Sequence, residues 1–429
     1  MAKYQMVVSG RFVDAVRGPF NGWVAINEGR IRDIVYNGVR PPTTYADELV
    51  LFGEECLIMP GFIDPHVHCR EPGNPHKEDW NTLGLAAAHG GVTTVATMPN
   101  YGKGNSINSR ESLQNVKGLA EKCIVDVRFR VGLCPENLDS LGEMADPLVV
   151  GYKLFTTAFD PELTFKREPD AEFWDMMEYV FERTAATGRT TALHLEDALL
   201  FNEDARKSGK ASAYSDWRPE KSEYVPARRA LDMARRRGAI VHVCHVSSPM
   251  TLDVVREYGV SCEATFHHTE FCTDHMAGDP RLVMNPPLRR GVSAKYIRNM
   301  LNVGVVPMIG TDHAPHTLEE KESDKSPAGV PALDAYGSLL RQRIAGGEMT
   351  AMTAAAASSR NPARLLGLDD RGDFGIGKRA DFAVLRMDGE GRPMPTYSKC
   401  GWTPYKTRDY VEATIKEGRL LFRGGEPVV

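Results

Sequence analysis

Short apolar runs alternate with amphipathic stretches through the middle of the chain, between about residues 61 and 368. The apolar runs are rich in β-branched residues, whereas the stretches between them repeat apolar positions with helical spacing. The strand candidates are GFIDPHVH, VTTVATMPN, IVDVRFRVGL, LVVGYKLF, TTALHLED, AIVHVCHVS, VSCEATFHH, RLVMNPPL and VPMIGTDHA. Two of the amphipathic stretches are FWDMMEYVFERTAATG and YVPARRALDMARRRG. This alternation predicts βα units with a parallel sheet, and about eight such units predict an α/β fold of the (β/α)8 barrel type.

The two ends of the chain follow a different pattern. Residues 1–60 contain β-branched runs separated by turn signals such as Asn27-Glu28-Gly29, and residues 369–429 repeat this pattern in ADFAVLRMD and VEATIKEGRLLFRGG. A chain of 429 residues is also longer than a single hydrophobic core usually supports. We therefore predict a small β-sandwich domain built from both chain termini, residues 1–60 plus 369–429, beside a barrel of residues 61–368.

Composition and charge narrow the class of protein. The balance of 52 basic against 57 acidic residues gives a net charge of -5, which offers no basic field for nucleic acid or an anionic membrane. No apolar run approaches the roughly 18 residues of a membrane span, and the N-terminal MAKYQMVVSG lacks the apolar core of a signal peptide. The 8 cysteines are scattered and form no C-x-x-C pair. These features predict reduced thiols in a cytoplasmic protein.

Polar residues recur at or near the C-terminal ends of the strand candidates. They are His66, His68, Asn100, Lys153, His194, His245, Asn285 and Asp312. In a (β/α)8 barrel the C-terminal ends of the strands converge on one mouth, where enzymes of this fold place their chemistry. Histidines scattered through a core would not keep this phase, so the pattern predicts one functional site.

The segment DPHVHCREPG carries three of the candidate residues. His66 and His68 are two apart on a strand and so point to the same side, which lets both reach one metal ion, and Arg70 continues the row. Imidazole ligands favour zinc or a similar divalent ion. The alternative is a pair of partly buried structural histidines.

Lys153 and Asp312 each allow more than one interpretation. Lys153 lies among apolar strand residues in GYKLF, where it either reaches solvent, pairs with a carboxylate, or loses its proton and becomes reactive. Asp312 follows the apolar run VVPMIG and either binds metal and moves a proton or caps a helix.

Some of the other histidines are candidate metal ligands, and others are expected to have structural roles. His194 and His245 each end a strand-like run and are candidate metal ligands, whereas His242 faces the opposite side from His245 and is expected to pack behind it. A structural role is expected for His267 and His268. The cation and amide groups of Arg70, Asn100, Asn285 and His316 suit an anionic, amide-bearing ligand.

Five motifs, in this order along the chain, resemble those of the cyclic amidohydrolases in the amidohydrolase superfamily. They are PGFIDPHVHCREPG, GGVTTVATMPN, HVCHVSS, MNPPLR and GTDHAPH. The resemblance extends over nearly the whole chain and is strongest to the dihydroorotases that have a composite β-domain. H-x-H alone marks only the superfamily, whereas H-x-H-x-R-E-P-G together with M-P-N, N-P-P-L-R and D-H-A-P-H is far more specific.

The resemblance implies a metal centre with two divalent ions, most simply Zn²⁺. His66 and His68 match the ligands of the more buried ion, and His194 and His245 match those of the second ion. Asp312 matches an aspartate that both binds metal and shuttles the proton. Lys153 matches a lysine that many relatives carboxylate with CO2, which makes it an anion that bridges the two ions.

The resemblance also implies a substrate and a reaction. Arg70, Asn100, Asn285 and His316 match positions that hold the substrate carboxylate and ring, and Ala328 and Gly329 resemble its backbone contacts. The implied reaction is the reversible cyclisation of N-carbamoyl-L-aspartate to L-dihydroorotate in pyrimidine biosynthesis, by a metal-bridged hydroxide with Asp312 as proton shuttle. A homodimer, and association with another enzyme of that pathway, are further expectations.

Two alternatives remain open at the level of sequence. Allantoinases, hydantoinases and dihydropyrimidinases share the metal ligands, and Arg70 with Asn100 is the main reason to prefer a dihydroorotase. The second alternative is an inactive paralogue that acts as a structural partner. The chain departs from the family pattern at Phe266, because the family's usual P-H-H motif is FHH here, at residues 266–268.

Overall fold

The computed structural model describes residues 3–36, 38, 40–102, 104–157, 161–163, 165, 170–207, 213–276 and 279–428. The strands are β1 (Tyr4–Asp14), β2 (Gly18–Asn27), β3 (Arg30–Val35), β4 (Ala46–Leu51), β5 (Cys56–Pro60), β6 (Phe62–Val67), β7 (Val92–Thr97), β8 (Asp126–Gly132), β9 (Val149–Phe155), β10 (Thr190–His194), β11 (Val241–Val243), β12 (Ser261–Ala264), β13 (Met308–Ile309), β14 (Phe382–Arg386), β15 (Val411–Lys416), β16 (Arg419–Arg423) and β17 (Glu426–Pro427).

The helices alternate with the strands through the central part of the chain. They are α1 (Trp80–His89), α2 (Arg110–Ala120), α3 (Ala171–Ala185), α4 (Glu203–Lys207), α5 (Tyr214–Trp217), α6 (Lys221–Arg237), α7 (Pro249–Tyr258), α8 (Phe266–Glu270), α9 (Thr273–Met276), α10 (Gly291–Asn302), α11 (Leu318–Lys321), α12 (Tyr336–Ala345), α13 (Ala351–Ala355) and α14 (Asn361–Leu365). No helix in the described part of the chain is long and apolar enough to cross a membrane.

Strands β6 to β13 form a parallel sheet in which each strand pairs with the next along the chain. The sheet closes on itself through a parallel bridge between Val67 and His313, and the His68 N–H donates to the His313 carbonyl oxygen at 2.8 Å. The strands are buried on both faces, which explains their continuous apolar runs. The predicted (β/α)8 barrel is confirmed. The bridge between Val67 and His313 that closes it lies beside the predicted site.

The outer helices are placed by caps and by their apolar faces. Helix α1 begins where the Asp79 carboxylate accepts from the Thr82 N–H, while the Thr82 hydroxyl accepts from the Asp79 N–H in a capping box. The same helix buries Trp80 and Leu83 against the barrel. Helix α6 ends at Gly238, whose φ of 70° suits a residue without a side chain.

Both ends of the chain contribute to a second sheet. Its order is β17-β16-β15-β14-β5-β1-β2-β3, with β4 also paired to β1. The antiparallel pairing of β14 with β5 joins the C-terminal strands to the N-terminal ones. The core of this sheet includes Phe12, which stacks on Phe20 at 5.0 Å and meets the edge of Phe374 at 5.4 Å. The predicted β-structure composed of both termini is therefore confirmed.

One strand prediction was wrong. The segment RLVMNPPL, residues 281–288, contains the end of a short 3-10 helix (Pro280–Leu282) and continues without strand structure. Pro286 and Pro287 have no N–H to donate to a sheet. Its apolar residues instead pack with Met276 and Trp402 in a separate cluster. The apolar run that suggested a strand belongs to a loop that covers the mouth of the barrel.

Candidate metal centre and substrate pocket

A cavity of about 120 Å³ lies at the C-terminal ends of the barrel strands. Its walls include every residue predicted for the site except His316, together with Phe155 and Ala314. The predicted residues that line it are His66, His68, Arg70, Asn100, Lys153, His194, His245, Asn285, Asp312, Ala328 and Gly329. Residues from strands far apart in sequence thus converge as the barrel prediction requires, while their individual roles stay predictions.

Three of the predicted metal ligands meet at one carboxylate oxygen. Asp312 Oδ1 lies 3.3 Å from His66 Nε2 and 3.0 Å from His68 Nε2. Two ligands of one tetrahedral zinc ion, each about 2.0–2.1 Å from the metal, are separated by about 3.3 Å. Although burial alone raises the pKa of Asp312, the adjacent His66 and His68 hold it well below its usual range. The carboxylate is therefore anionic, and the spacing fits a single divalent ion.

His194 and His245 form the opposite side of the cavity. His194 Nδ1 lies 2.9 Å from His245 Nε2, so both nitrogens point at the same space. Burial lowers the pKa of His194 to about 4 and that of His245 well below its usual value. Both rings are consequently neutral near pH 7, which is the form that binds a metal ion. His66 and Asp312 also bring ligand atoms within 4.8 Å of one from His245, so the two sides are continuous.

Lys153 is enclosed in the barrel, where its side chain is 1% exposed. Its Nζ donates to Cys244 Sγ at 3.2 Å and lies 4.9 Å from the centre of the Phe155 ring. No carboxylate in the described ranges is within ion-pair distance of it. The structure thus excludes solvent access for Lys153 and, within those ranges, a carboxylate partner. The interpretation of Lys153 as a reactive amine stays a prediction.

A glutamate that the sequence analysis missed stands behind His66. Glu263 Oε1 accepts a short hydrogen bond from His66 Nδ1, and Oε2 lies 3.1 Å from His242 Nε2. His242 Nδ1 continues to Ser261 Oγ at 2.9 Å, so His242 packs behind the site as expected. Burial lowers the pKa of His66, but the negative charges of Glu263 and Asp312 together outweigh it and raise that pKa to about 10. Glu263 fixes the ring so that Nε2 faces Asp312.

A second missed glutamate stands behind His194. Glu196 Oε2 lies 2.8 Å from His194 Nε2, which leaves Nδ1 toward the cavity. The same carboxylate receives two hydrogen bonds from the buried Arg218, one of them from Nε to Oε1 at 3.0 Å. A signal was present in the sequence, because Glu196 follows His194 by two in HLE just as His68 follows His66. For Glu263, the signal was an acidic residue inside an apolar strand.

Two of the candidate ligands have unusual backbone conformations. His245 has a φ of 36° and Asp312 a φ of 49°, the left-handed region that residues with a side chain rarely occupy. Near Asp312, the buried Asp64 carboxylate accepts from the N–H groups of His66 (3.1 Å) and Thr311 (3.0 Å). Burial raises the pKa of Asp64 to about 7. Asp64 thus joins the segments that carry His66 and Asp312, and strain of this kind is concentrated at functional sites.

Arg70 forms the cationic end of the cavity. Its Nε donates to the Pro315 carbonyl oxygen at 3.0 Å, and its Nη2 lies 3.1 Å from His316 Nε2. That His316 nitrogen is also 3.1 Å from the Ala328 carbonyl oxygen, so His316 lies behind the cavity and joins two of its walls. Arg70 has no carboxylate partner among the described residues, and its guanidinium is available to an anionic ligand.

The two asparagines of the pocket differ in their contacts. Asn285 Oδ1 accepts from the Tyr214 hydroxyl at 2.7 Å, whereas Asn100 Oδ1 is buried without a hydrogen-bond partner in the described part of the protein. A buried amide oxygen without a partner is costly, and a ligand donor would satisfy it. His268 lies between Thr265 Oγ1 and the Pro286 carbonyl oxygen, which agrees with the structural role expected for it.

The sequence profile described as "Amidohydrolase family" matches residues 57–420. This match covers most of the chain, so the protein belongs to the amidohydrolase family, whose members are generally metal-dependent. Among its relatives, the dihydroorotase of Methanosphaera stadtmanae is 30% identical over 418 residues, which cover 93% of this chain and 92% of that protein. The dihydroorotase of Halobacterium salinarum is 30% identical over 395 residues, which cover 88% and 90%. The predicted enzyme class, a hydrolase acting on a cyclic amide, is confirmed.

Solved structures confirm the fold. The L-hydantoinase (dihydropyrimidinase) from Arthrobacter aurescens superposes with a TM-score of 0.88 at 22% identity, covering 99% of this chain and 98% of that one. The D-hydantoinase (dihydropyrimidinase) from Thermus sp. gives a TM-score of 0.85, also at 22% identity, with 99% and 96% covered. At this level of identity the likeness establishes the architecture and does not bear on the substrate.

Proposed function

We propose that this chain is a dihydroorotase, which interconverts N-carbamoyl-L-aspartate and L-dihydroorotate in pyrimidine synthesis. The observation that carries the proposal is the Arg70 guanidinium, which shares one cavity with the metal-ligand cluster and has no carboxylate partner among the described residues. A ring that bears a carboxylate, such as dihydroorotate, would supply that partner. The relatives named dihydroorotase support the same choice.

The donor set supports two divalent ions, most simply Zn²⁺. His66, His68 and Asp312 would hold one ion, and His194 with His245 would hold the other, with a carboxylated Lys153 between them. Bound divalent ions lower the pKa of a water molecule and polarise a carbonyl oxygen. Neutral imidazoles, as at His68, His194 and His245, and an anionic carboxylate are the ligand types that such ions select, and His66 would release its proton when the ion binds.

The residues of the chain then divide the remaining work. Arg70 binds the substrate carboxylate, and Asn100 Oδ1 accepts from a ring N–H. Asp312 takes a proton from the attacking water and delivers it to the ring nitrogen as the amide bond breaks. In the reverse direction Asp312 removes the proton from that nitrogen, the ring closes, and water is released. The enclosed cavity keeps these groups in a fixed geometry.

Hydrolysis of L-dihydroorotate, followed by its ultraviolet absorbance, tests the proposal when allantoin and hydantoin are run in parallel. We expect turnover of dihydroorotate alone. Arg70→Met should lower kcat/KM for dihydroorotate by about 100-fold while the bound metal remains, because it removes a charge-assisted contact to the substrate. Arg70→Lys is the matched control, since it keeps the charge but loses the two-pronged geometry, and it should retain intermediate activity. Faster turnover of a ring without a carboxylate would contradict the proposal.

Lys153 can be examined separately by intact-protein infrared or carbon-13 spectroscopy after exchange with labelled bicarbonate. We expect a carbamate signal that Lys153→Arg lacks, because a guanidinium does not carboxylate. Arg is a suitable comparison because it keeps a positive, long side chain in the barrel. Equal signals from both proteins would show that the modification, if present, is at another lysine.

A further inference from the structure

A chain of polar contacts leads from the metal centre to the substrate side of the cavity. It begins at His194, whose Nε2 meets Glu196, and continues to Arg218, which donates to the same Glu196. The backbone N–H of Arg218 donates to the Tyr214 carbonyl oxygen at 3.2 Å. Tyr214 in turn contacts Asn285 Oδ1 at 2.7 Å. Tyr214 is therefore the link between the Glu196–Arg218 pair and a wall of the pocket.

The direction of these hydrogen bonds follows from the donors involved. Asn285 Oδ1 is an amide oxygen and can only accept a hydrogen bond. The Tyr214 hydroxyl is therefore the donor in their 2.7 Å contact. Because the amide oxygen of Asn285 is engaged in this way, its Nδ2 group is the one left for the cavity that Asn285 lines.

The loop that carries Asn285 is otherwise held by packing and by hydrogen bonds to its backbone carbonyl oxygens. Tyr214 itself packs against the cluster that contains Met284 and Leu288, and the Ser215 hydroxyl donates to the Leu288 carbonyl oxygen at 2.7 Å. Those contacts position the loop but do not distinguish the two ends of the Asn285 amide. The Tyr214 hydroxyl does so, because an amide rotated by 180° would face its proton with an NH2 group.

We propose that Tyr214 is a positioning residue that holds Asn285 as a hydrogen-bond donor to the substrate. The partner of Asn285 is then an acceptor, a carbonyl or carboxylate oxygen of the ring compound, while Asn100 Oδ1 selects a donor. The pocket therefore recognises a ring that presents an N–H on one side and an oxygen on the other. This assignment of substrate groups rests on the proposed function, whereas the orientation of Asn285 does not.

A double-mutant cycle tests the inference on the purified, metal-loaded enzyme. Tyr214→Phe should raise KM by about five- to tenfold, the effect of one buried hydrogen bond, and change kcat by less than about twofold. In an Asn285→Ala background the same change should alter KM by less than about twofold, because the group that Tyr214 orients is gone. Tyr397→Phe is the matched control, since it removes a hydroxyl that donates to the Gly425 carbonyl oxygen outside the pocket. It should leave KM unchanged.

Two results would overturn the inference. One is an unchanged KM in Tyr214→Phe, and the other is a Tyr214→Phe effect that persists undiminished in the Asn285→Ala background. The cycle is run with whichever cyclic amide the wild type hydrolyses, so a failure of dihydroorotate as substrate is recorded separately by the substrate panel. Crystal structures of the wild type and of Tyr214→Phe test the inference without an activity measurement. A rotated or split Asn285 amide in Tyr214→Phe supports the inference, and an unchanged amide contradicts it.

Discussion

On each side of the candidate metal centre a glutamate orients a histidine, but the two glutamates have different partners. On one side Glu263 orients His66, and its other oxygen contacts the imidazole of His242. On the other side Glu196 orients His194, and its charge is paired with the guanidinium of Arg218. Both carboxylates are fully enclosed. Glu196 thus has a permanent cation beside it, whereas Glu263 is in direct contact with rings that carry charge only when protonated.

A carboxylate that contacts a candidate metal-binding histidine can stabilise the fold through an ion pair, or it can orient the histidine toward the metal. The two glutamates differ in this respect. Around Glu196, burial raises the pKa, but Arg218 and then His194 lower it far below its usual range, so the anion is stabilised by the protein itself. Around Glu263, the lowering comes from His66 and His242, one of which is a candidate ligand. We infer that the Glu196 side is mainly a structural ion pair, while the Glu263 side depends on what His66 binds.

The largest effect is expected at the carboxylate that faces both sides. Asp312→Asn should lower kcat by about 10³-fold, since it removes the proton acceptor, while most of the metal stays bound. Asparagine is a suitable replacement because it tolerates the left-handed φ of 49° at this position. Steady-state kinetics and metal analysis of the same sample provide the measurement. Turnover equal to that of the wild type would remove Asp312 from the proton transfer.

The next prediction compares how substitutions of Glu196 and Glu263 change the free energy of unfolding. Glu196→Gln leaves the Arg218 charge buried without an anion, so the free energy of unfolding should fall by about 3–5 kcal/mol. Glu263→Gln should cost less, because His66 can release its proton and become neutral, whereas the guanidinium of Arg218 cannot. Urea denaturation of both variants in the presence of a chelator gives the comparison. Equal losses would mean that the Arg218 pair does not distinguish the two sides.

For metal affinity, we expect the larger effect at Glu263 and not at Glu196. Glu263→Gln weakens the orientation of His66 and should reduce metal affinity by about 10- to 100-fold, as measured by competition with a chromophoric chelator. Ser261→Ala serves as the control, because it removes a contact of His242 and leaves the Glu263 carboxylate in place. The idea fails if both substitutions weaken binding to the same extent.

The last comparison lies outside the candidate metal centre, where the partly buried carboxylate of Asp126 is paired with cations and not with a histidine. Asp126 contacts Arg371 (2.6 Å), Arg379 (2.8 Å) and Lys416 (3.0 Å), between barrel and terminal sheet. Burial raises its pKa, but Arg379 and its neighbours outweigh this and lower it to about 2.

A depressed pKa in the folded state stabilises the fold above the pKa of the unfolded state, and this contribution is lost as pH falls through the folded value. Asp126→Asn should therefore cost about 2 kcal/mol at pH 7, and the difference from wild type should shrink between about pH 4 and pH 2. Denaturation across this range measures it. A difference that does not change with pH would show that charge is not its cause.

The sequence predicted the barrel better than it predicted the mouth. Strands such as β7 and β9 are continuous apolar runs, and their burial on both faces is a local property that composition records. The segment RLVMNPPL has the same composition for another reason, because its apolar side chains pack in a loop cluster near Trp402. Sequence alone does not tell burial in a sheet from burial under a loop.

The candidate site shows the same limit. The convergence of His66 and His68 on one cavity could be predicted, because H-x-H places two side chains on one side of a strand. The contacts of Glu263 with His66 and of Tyr214 with Asn285 could not, because the partners are distant in the chain: 197 positions separate Glu263 from His66, and 71 separate Tyr214 from Asn285. Contacts of that kind arise only when the barrel is closed and its loops are packed.

The pairing of β5 with β14 has a consequence for the synthesis of the protein on the ribosome. Strand β5 (Cys56–Pro60) is separated from β6, the strand with the first candidate metal ligand, by Gly61 alone, yet its antiparallel neighbour begins at Phe382. While the chain is emerging, β5 has an exposed edge until most of the protein has been translated. We expect the nascent barrel to rely on chaperones or on delayed collapse during that interval, since an unpaired apolar edge favours aggregation.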